Sequence, residues 1–190
     1  MELLNNVWTA LSTPNEELIN ILFIFLITFI EAPLTFCLIT TAFKLEYNLK
    51  LKIIFIIISS LASLIAMYVI PEPFNMAFNY IAIFALLYFM FKLKILKNLI
   101  ASIFPSIVFN LLGNLILNPY LTLLNITFEQ ANTIPIYRIP FAICMYLIIF
   151  AIILLFKHKN IYINIIESLD KKNKFILTLN FIFAFLYLII

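Results

Sequence analysis

Between Asn98 and Thr122 the polar side chains recur at every fourth residue: Asn98, Ser102, Ser106, Asn110, Asn114, Asn118 and Thr122, with Tyr120 the one exception. The rest of that window is apolar, glycine or proline. A four-residue step on an α-helix turns about 400°, so neighbours in the series stand about 40° apart on one slowly drifting stripe. The chemistry of such a row is hydrogen bonding. It either pins helices together or lines a path for a polar solute or signal. Glu31 is the second feature, a carboxyl inside an apolar stretch and followed by Ala32 and Pro33. An acid at that depth is expensive, so it serves either as a hydrogen-bonded packing pin or as a functional group. A bond from Glu31 to an amide of the striped stretch, with Asn110 and Asn114 at matching depth, is the expectation. The third feature is Arg138, the only guanidinium in the chain, in a connector with Asn118, Tyr120, Glu129 and Tyr137. It either clamps a ligand carboxylate through two parallel N–H bonds or serves as an interfacial anchor paired with Glu129.

Catalytic chemistry has little to stand on. His158 is the only histidine, flanked by Lys157 and Lys159, with no acid or nucleophile spaced for a dyad. Cys37 and Cys144 fall at different depths of their segments and read as small apolar fillers rather than a bridge. One histidine without paired Cys or acid ligands argues against a metal site, and no phosphate-binding glycine loop occurs. The expectation is a protein that is not an enzyme and carries no catalytic residues, no metal and no cofactor.

The elements that must position these residues follow from composition. Hydrophobic residues make up 65% of the chain and charged residues 11%, against about 25% charged in a soluble domain. Mean hydropathy is +1.15. These values predict an all-α polytopic membrane bundle of about six transmembrane helices. Residues 1–17 form an external N-terminal segment in which Leu4, Val7, Trp8 and Leu11 share a helical face, as in an interfacial helix. Residues 18–190 form one transmembrane bundle. Its spans are expected at 18–43, 53–70, 74–91, 98–117 and 139–156, with a sixth that begins at Phe175 and is incomplete at Ile190. Pro33 is expected to kink the first span and Pro119 to end or bend the fourth. Thr13 or Asn15 caps the first span.

Orientation follows from basic residues near span ends. The loops after spans one, three and five hold three, three and five lysines, whereas the N-terminal segment and the loop after span two hold none and the loop after span four holds only Arg138. That pattern places the chain in the cell membrane with its N-terminus outside. The net charge of +3 is too small and scattered for a nucleic-acid surface. No basic n-region of a cleavable signal peptide opens the chain at Met1-Glu2-Leu3-Leu4.

Several runs carry a family resemblance: Phe104-Pro105, Asn114-Leu115-Ile116-Leu117-Asn118-Pro119-Tyr120-Leu121, Ile134-Pro135-Ile136-Tyr137-Arg138-Ile139 and Leu169-Asp170-Lys171-Lys172-Asn173-Lys174. Together they resemble the membrane sensor half of clostridial peptide-sensing histidine kinases, similar to the accessory-gene-regulator sensors with a GHKL-type ATPase domain. The resemblance implies a sensor module that binds an extracellular peptide and relays it to a cytoplasmic kinase region beyond this chain, as a homodimer. It does not imply kinase activity here, because no phosphoacceptor helix or ATP-binding motif accompanies the spans. The ligand-binding or coupling set on this reading is Glu31, Asn110, Asn114, Asn118, Tyr120, Glu129, Tyr137 and Arg138. The alternative is the membrane substrate-binding component of a small-solute or vitamin transporter, of similar size and span number.

Overall fold

The computed structural model describes residues 2–163. The sixth span expected from Phe175 lies outside the described residues. Helix α1, Glu2–Ser12, precedes a long first span made of α2, Glu16–Leu26, a π-helical turn, Ile27–Glu31, and α3, Ala32–Ala42. Then come α4, Leu49–Tyr68, α5, Phe74–Phe91, α6, Ile95–Leu124, the short α7, Phe128–Thr133, and α8, Pro135–His158. Five of these segments are long and apolar enough to cross a membrane: Glu16–Ala42, Leu49–Tyr68, Phe74–Phe91, Ile95–Leu124 and Pro135–His158. Phe29, Leu115 and Leu147 are more than 60% exposed, at 67%, 69% and 62%. An apolar surface of that kind belongs against lipid, so the protein is a multi-pass membrane protein.

Local chemistry sets the ends. Asn15 caps α2, its side chain accepting from the Leu18 N–H at 3.0 Å. Asn48 caps α4 in the same way through Leu51 at 2.9 Å. That cap starts α4 four residues ahead of the expected Ile53 and carries Lys50 and Lys52 onto its first turns. Pro33 does not simply kink the first span. The π turn ahead of it widens the helix, with the Ala32 N–H reaching back to the Ile27 carbonyl, and so makes room where the proline ring crowds the preceding turn. Glu31 is the last residue of this turn.

Pro119 does not end the fourth span, which continues to Leu124 with Pro105 and Pro119 inside it. Thirty residues reach about 45 Å, well past a core of about 30 Å, so the helix is long enough to carry its far end out of the hydrocarbon. The helix stops at Asn125, where the backbone turns left-handed at φ 53°. Lys44, Lys92 and Asn160 do the same behind α3, α5 and α8, at φ 50°, 49° and 50°. A chain with one glycine makes its helix stops from Lys and Asn, and the lysines bear the steric cost of that backbone. Gly113, the single glycine, sits inside α6 with a helical backbone, and a Cβ there would meet only the Met145 Sδ at 3.9 Å.

The centre of the bundle is α3. Thr35, Phe36, Leu38, Ile39, Thr40 and Ala42 are all buried on it. Phe36, Ile39 and Phe43 pack with Phe55 of α4, Leu87 of α5 and Ala101 of α6, whereas Leu38 packs with Ala142, Ile149 and Ile153 of α8. Buried Asn98 donates its amide to the Phe84 carbonyl at 2.8 Å and joins α6 to α5. At the other end, the Asn15 N–H donates to the Thr133 carbonyl at 3.2 Å and joins the first span to α7.

Two substitutions should raise stability. Gly113→Ala removes backbone freedom without a clash, and Lys92→Gly relieves a left-handed lysine; each is expected to gain about 0.5–1 kcal/mol. Thermal unfolding of the detergent-purified protein checks both, and a loss of stability for Gly113→Ala would show that α6 and α8 approach more closely than described.

Candidate functional site

A cavity of about 270 Å³ opens between the π turn, α3, α4, α5 and α6. Its polar lining is Glu31, Thr35, Ser59, Ser63, Asn79, Tyr80, Ser106 and Asn110, and Ile27, Met76, Ile83 and Phe109 supply apolar wall. The hairpin of α4 and α5 explains half of it. Ser63 lies five residues before the end of α4 at Tyr68, and Asn79 five residues after the start of α5 at Phe74. The antiparallel pairing therefore sets them opposite each other, and the Ser63 hydroxyl donates to Asn79 Oδ1 at 3.2 Å. Ser59 and Ile83, each nine residues from those same ends, stand deeper on the same walls.

Glu31 closes the opposite wall. Its Oε2 accepts from the Tyr146 hydroxyl of α8 at 3.4 Å. The expected amide partner is thus replaced by a phenol from another helix. Asn110 lines the same cavity but does not bond Glu31. The contact is at the long end for an O–H···O bond and contributes modestly. Among the described residues Oε1 has no protein partner, and Glu31 is half-buried on the cavity wall. No lysine, arginine or histidine lines the cavity.

The stripe on α6 divides along its length. Asn98 and Ser102 are buried, Ser106 is half-buried and Asn110 exposed on the lining of the cavity, and Asn114, Asn118 and Thr122 are exposed outside it. Asn114 therefore lies outside the site it was expected to share. The reason is the drift of about 40° per step: a row that faces α5 at Asn98 has turned about 200° by Asn118. Depth makes the exposure tolerable, because Asn114 stands about 26 Å beyond Lys97, near the far edge of the hydrocarbon.

The connector residues do not form an open clamp. Arg138 donates from Nη1 to Asn132 Oδ1 at 2.7 Å rather than pairing with Glu129. Its guanidinium stacks over Phe23 at 5.0 Å and Phe141 at 5.7 Å. Glu129 is exposed on the first turn of α7, where an acid suits the helix dipole. Asn118 is exposed as well. Tyr120 and Tyr137 do meet, the Tyr120 hydroxyl donating to the Tyr137 carbonyl at 2.6 Å. These bonds tie α6, α7 and the first span to the head of α8. They hold the guanidinium on one side through Nη1, while Arg138 Nε is buried without a hydrogen-bond partner among the described residues.

Sequence reasoning missed Thr35, Ser63 as a lining residue, Asn79, Tyr80 and Tyr146. Asn75 and Asn79 repeat the four-residue spacing of the α6 stripe, and this was the legible signal for Asn79. Helix α7 was also legible, because Thr127-Phe128-Glu129-Gln130 is a capping box: the Gln130 N–H donates to Thr127 at 3.2 Å and the Thr127 N–H to Gln130 at 2.9 Å. Comparison of the chain with family models, with curated proteins and with solved structures gave no match.

The Glu31 wall separates a structural carboxyl from a functional one. Tyr146→Phe is expected to cost less than about 1 kcal/mol, in line with membrane hydrogen bonds. Glu31→Leu is expected to hold or raise the unfolding temperature, since it removes a polar group from an apolar bundle. A drop of more than about 2 kcal/mol for Glu31→Leu, measured by chemical unfolding in mixed micelles, would make the carboxyl a packing pin instead.

Proposed function

We propose that this protein is an integral membrane sensor module that takes an extracellular ligand into the Glu31 cavity. The observation that carries the reading is the cavity itself, a polar recess with a half-free carboxylate at mid-depth in an otherwise apolar bundle. Polar groups at that depth cost stability and are retained for function. The lysine-rich ends of α3, α5 and α8 are cytoplasmic on the positive-inside rule, with α1 and α7 outside. The recess extends toward the α4–α5 connection, through Ser63, Met76 and Asn79. Its volume admits one side chain or a small solute, so a peptide signal inserts a side chain rather than its whole body.

The relay is a population shift between two packings. A ligand seated between the α4–α5 hairpin and Glu31 favours the packing in which those walls close on it. The α3 core carries that preference toward Phe43 and Lys44, at the cytoplasmic side. From there it passes to a kinase region beyond this chain, in a homodimer, as the family resemblance implies. Arg138 braces the outer end through Asn132.

One observation favours the transporter alternative. The first span is interrupted by its π turn where Glu31 enters the cavity, and broken helices mark substrate sites in carriers. Solute accumulation in proteoliposomes would establish that reading; a sensor gives binding without accumulation. Two measurements test the proposal. A membrane-impermeant amine reagent on intact cells should leave Lys92 and Lys94 unmodified until the cells are permeabilised. Ser63→Trp, which fills the recess, should weaken binding of peptides fractionated from culture medium about tenfold or more while the protein stays folded. Binding that survives this change would remove the ligand from the cavity.

A further inference from the structure

We infer that the Glu31 cavity takes a primary ammonium group. The inference rests on the binding role just proposed for the cavity and names the chemistry of its ligand. The lining holds one carboxylate and no basic side chain. The nearest guanidinium by sequence on α8, Arg138, stands eight residues from Tyr146, about 12 Å along the helix, and is held by Asn132. An anion entering this recess meets Glu31 without a counter-charge. A neutral ligand leaves Glu31 as an uncharged acid, whereas a cation beside it lets the carboxyl ionise and form an ion pair. A cationic ligand therefore suits the recess.

The rest of the lining selects among cations. A bare metal ion needs a compact shell of several oxygens at about 2.0–2.6 Å. Among the described residues no cluster of acid, His or Cys ligands exists, and the space of about 270 Å³ exceeds one ion. A quaternary ammonium is recognised by a cage of aromatic faces. Here two rings, Tyr80 and Phe109, share the lining with hydroxyls and amides, namely Ser59, Ser63, Ser106, Asn79 and Asn110. Those groups accept hydrogen bonds, and a primary ammonium offers three N–H donors to use them. Glu31 takes the charge, the oxygens of α4 and α6 take the remaining donors, and Ile27, Met76 and Ile83 contact the carbon body. The group is carried either by a lysine-like side chain of a peptide or by a free amine.

The test uses purified full-length protein in nanodiscs. Benzylamine and benzyl alcohol have the same shape and differ in charge. Calorimetric titration should give about tenfold tighter binding or more for benzylamine, and Glu31→Gln should bring the two probes together by weakening only the amine. Nα-acetyl-lysine N-methylamide distinguishes the sources: competition with benzylamine assigns a peptide side chain, and its failure to compete assigns a free amine. Equal binding of benzylamine and benzyl alcohol by the unaltered protein overturns the ammonium assignment and leaves the binding role intact. If neither probe binds, both readings fall. The comparison of the two probes needs no variant, so an unstable Glu31→Gln protein does not blunt it.

Discussion

In hydrocarbon a hydrogen-bonding group has no water to fall back on, and an apolar side chain gains little by leaving lipid for another helix. That constraint shapes this bundle more than any single contact. Apolar residues are indifferent to partner and cover the outside, where Phe29, Leu115 and Leu147 stand exposed. Polar residues inside the spans are few. Asn98 finds a carbonyl on α5, Ser63 finds Asn79, and Glu31 finds Tyr146. Each of these bonds crosses between helices, so the polar minority fixes which helices touch and at what depth. Tight packing around α3 then supplies the dispersion contacts.

The same constraint explains why the cavity is notable. Most polar groups in the spans are satisfied by a neighbour or by their own helix, as Thr40 is by the Phe36 carbonyl at 2.8 Å. Around Glu31 they are gathered instead, and they face space. Gathering them needed three local devices: a π turn that presents the acid, a hairpin that sets Ser63 against Asn79, and the stretch of the α6 stripe, Ser106 and Asn110, that borders the cavity. The connector followed the opposite course. Arg138 Nη1 binds Asn132 and the Tyr120 hydroxyl binds the Tyr137 carbonyl, which braces that end of the bundle, although Arg138 Nε stays buried without a partner among the described residues.

Much of the architecture was readable in advance. Five apolar stretches, the tight Pro71–Pro73 connection, the bounds of α5 and the capped start at Asn15 all follow from local composition and turn chemistry. Span ends were less legible where a cap intervened or a helix ran on. Asn48 advanced α4, and α6 runs through Pro119 to Leu124. The site was half legible. Glu31 and Asn110 were singled out and do share a wall. Asn114 was expected beside Glu31 and lies outside the cavity lining, and Asn118 and Glu129, singled out with the connector, are exposed.

By itself, then, the sequence determined that the chain is a membrane bundle, where its helices run, and that polar side chains within them demand an explanation, because hydropathy, helical period and capping are properties of neighbours along the chain. Only the tertiary structure decided which polar groups meet. A drift of about 40° per step turns one stripe from buried at Asn98 to exposed at Asn110 within three steps. The rotation of each helix about its own axis, and the phenol or amide that stands across from it, come from packing against other helices. For that reason Tyr146 rather than Asn110 faces the Glu31 carboxyl, and Asn132 rather than Glu129 holds Arg138.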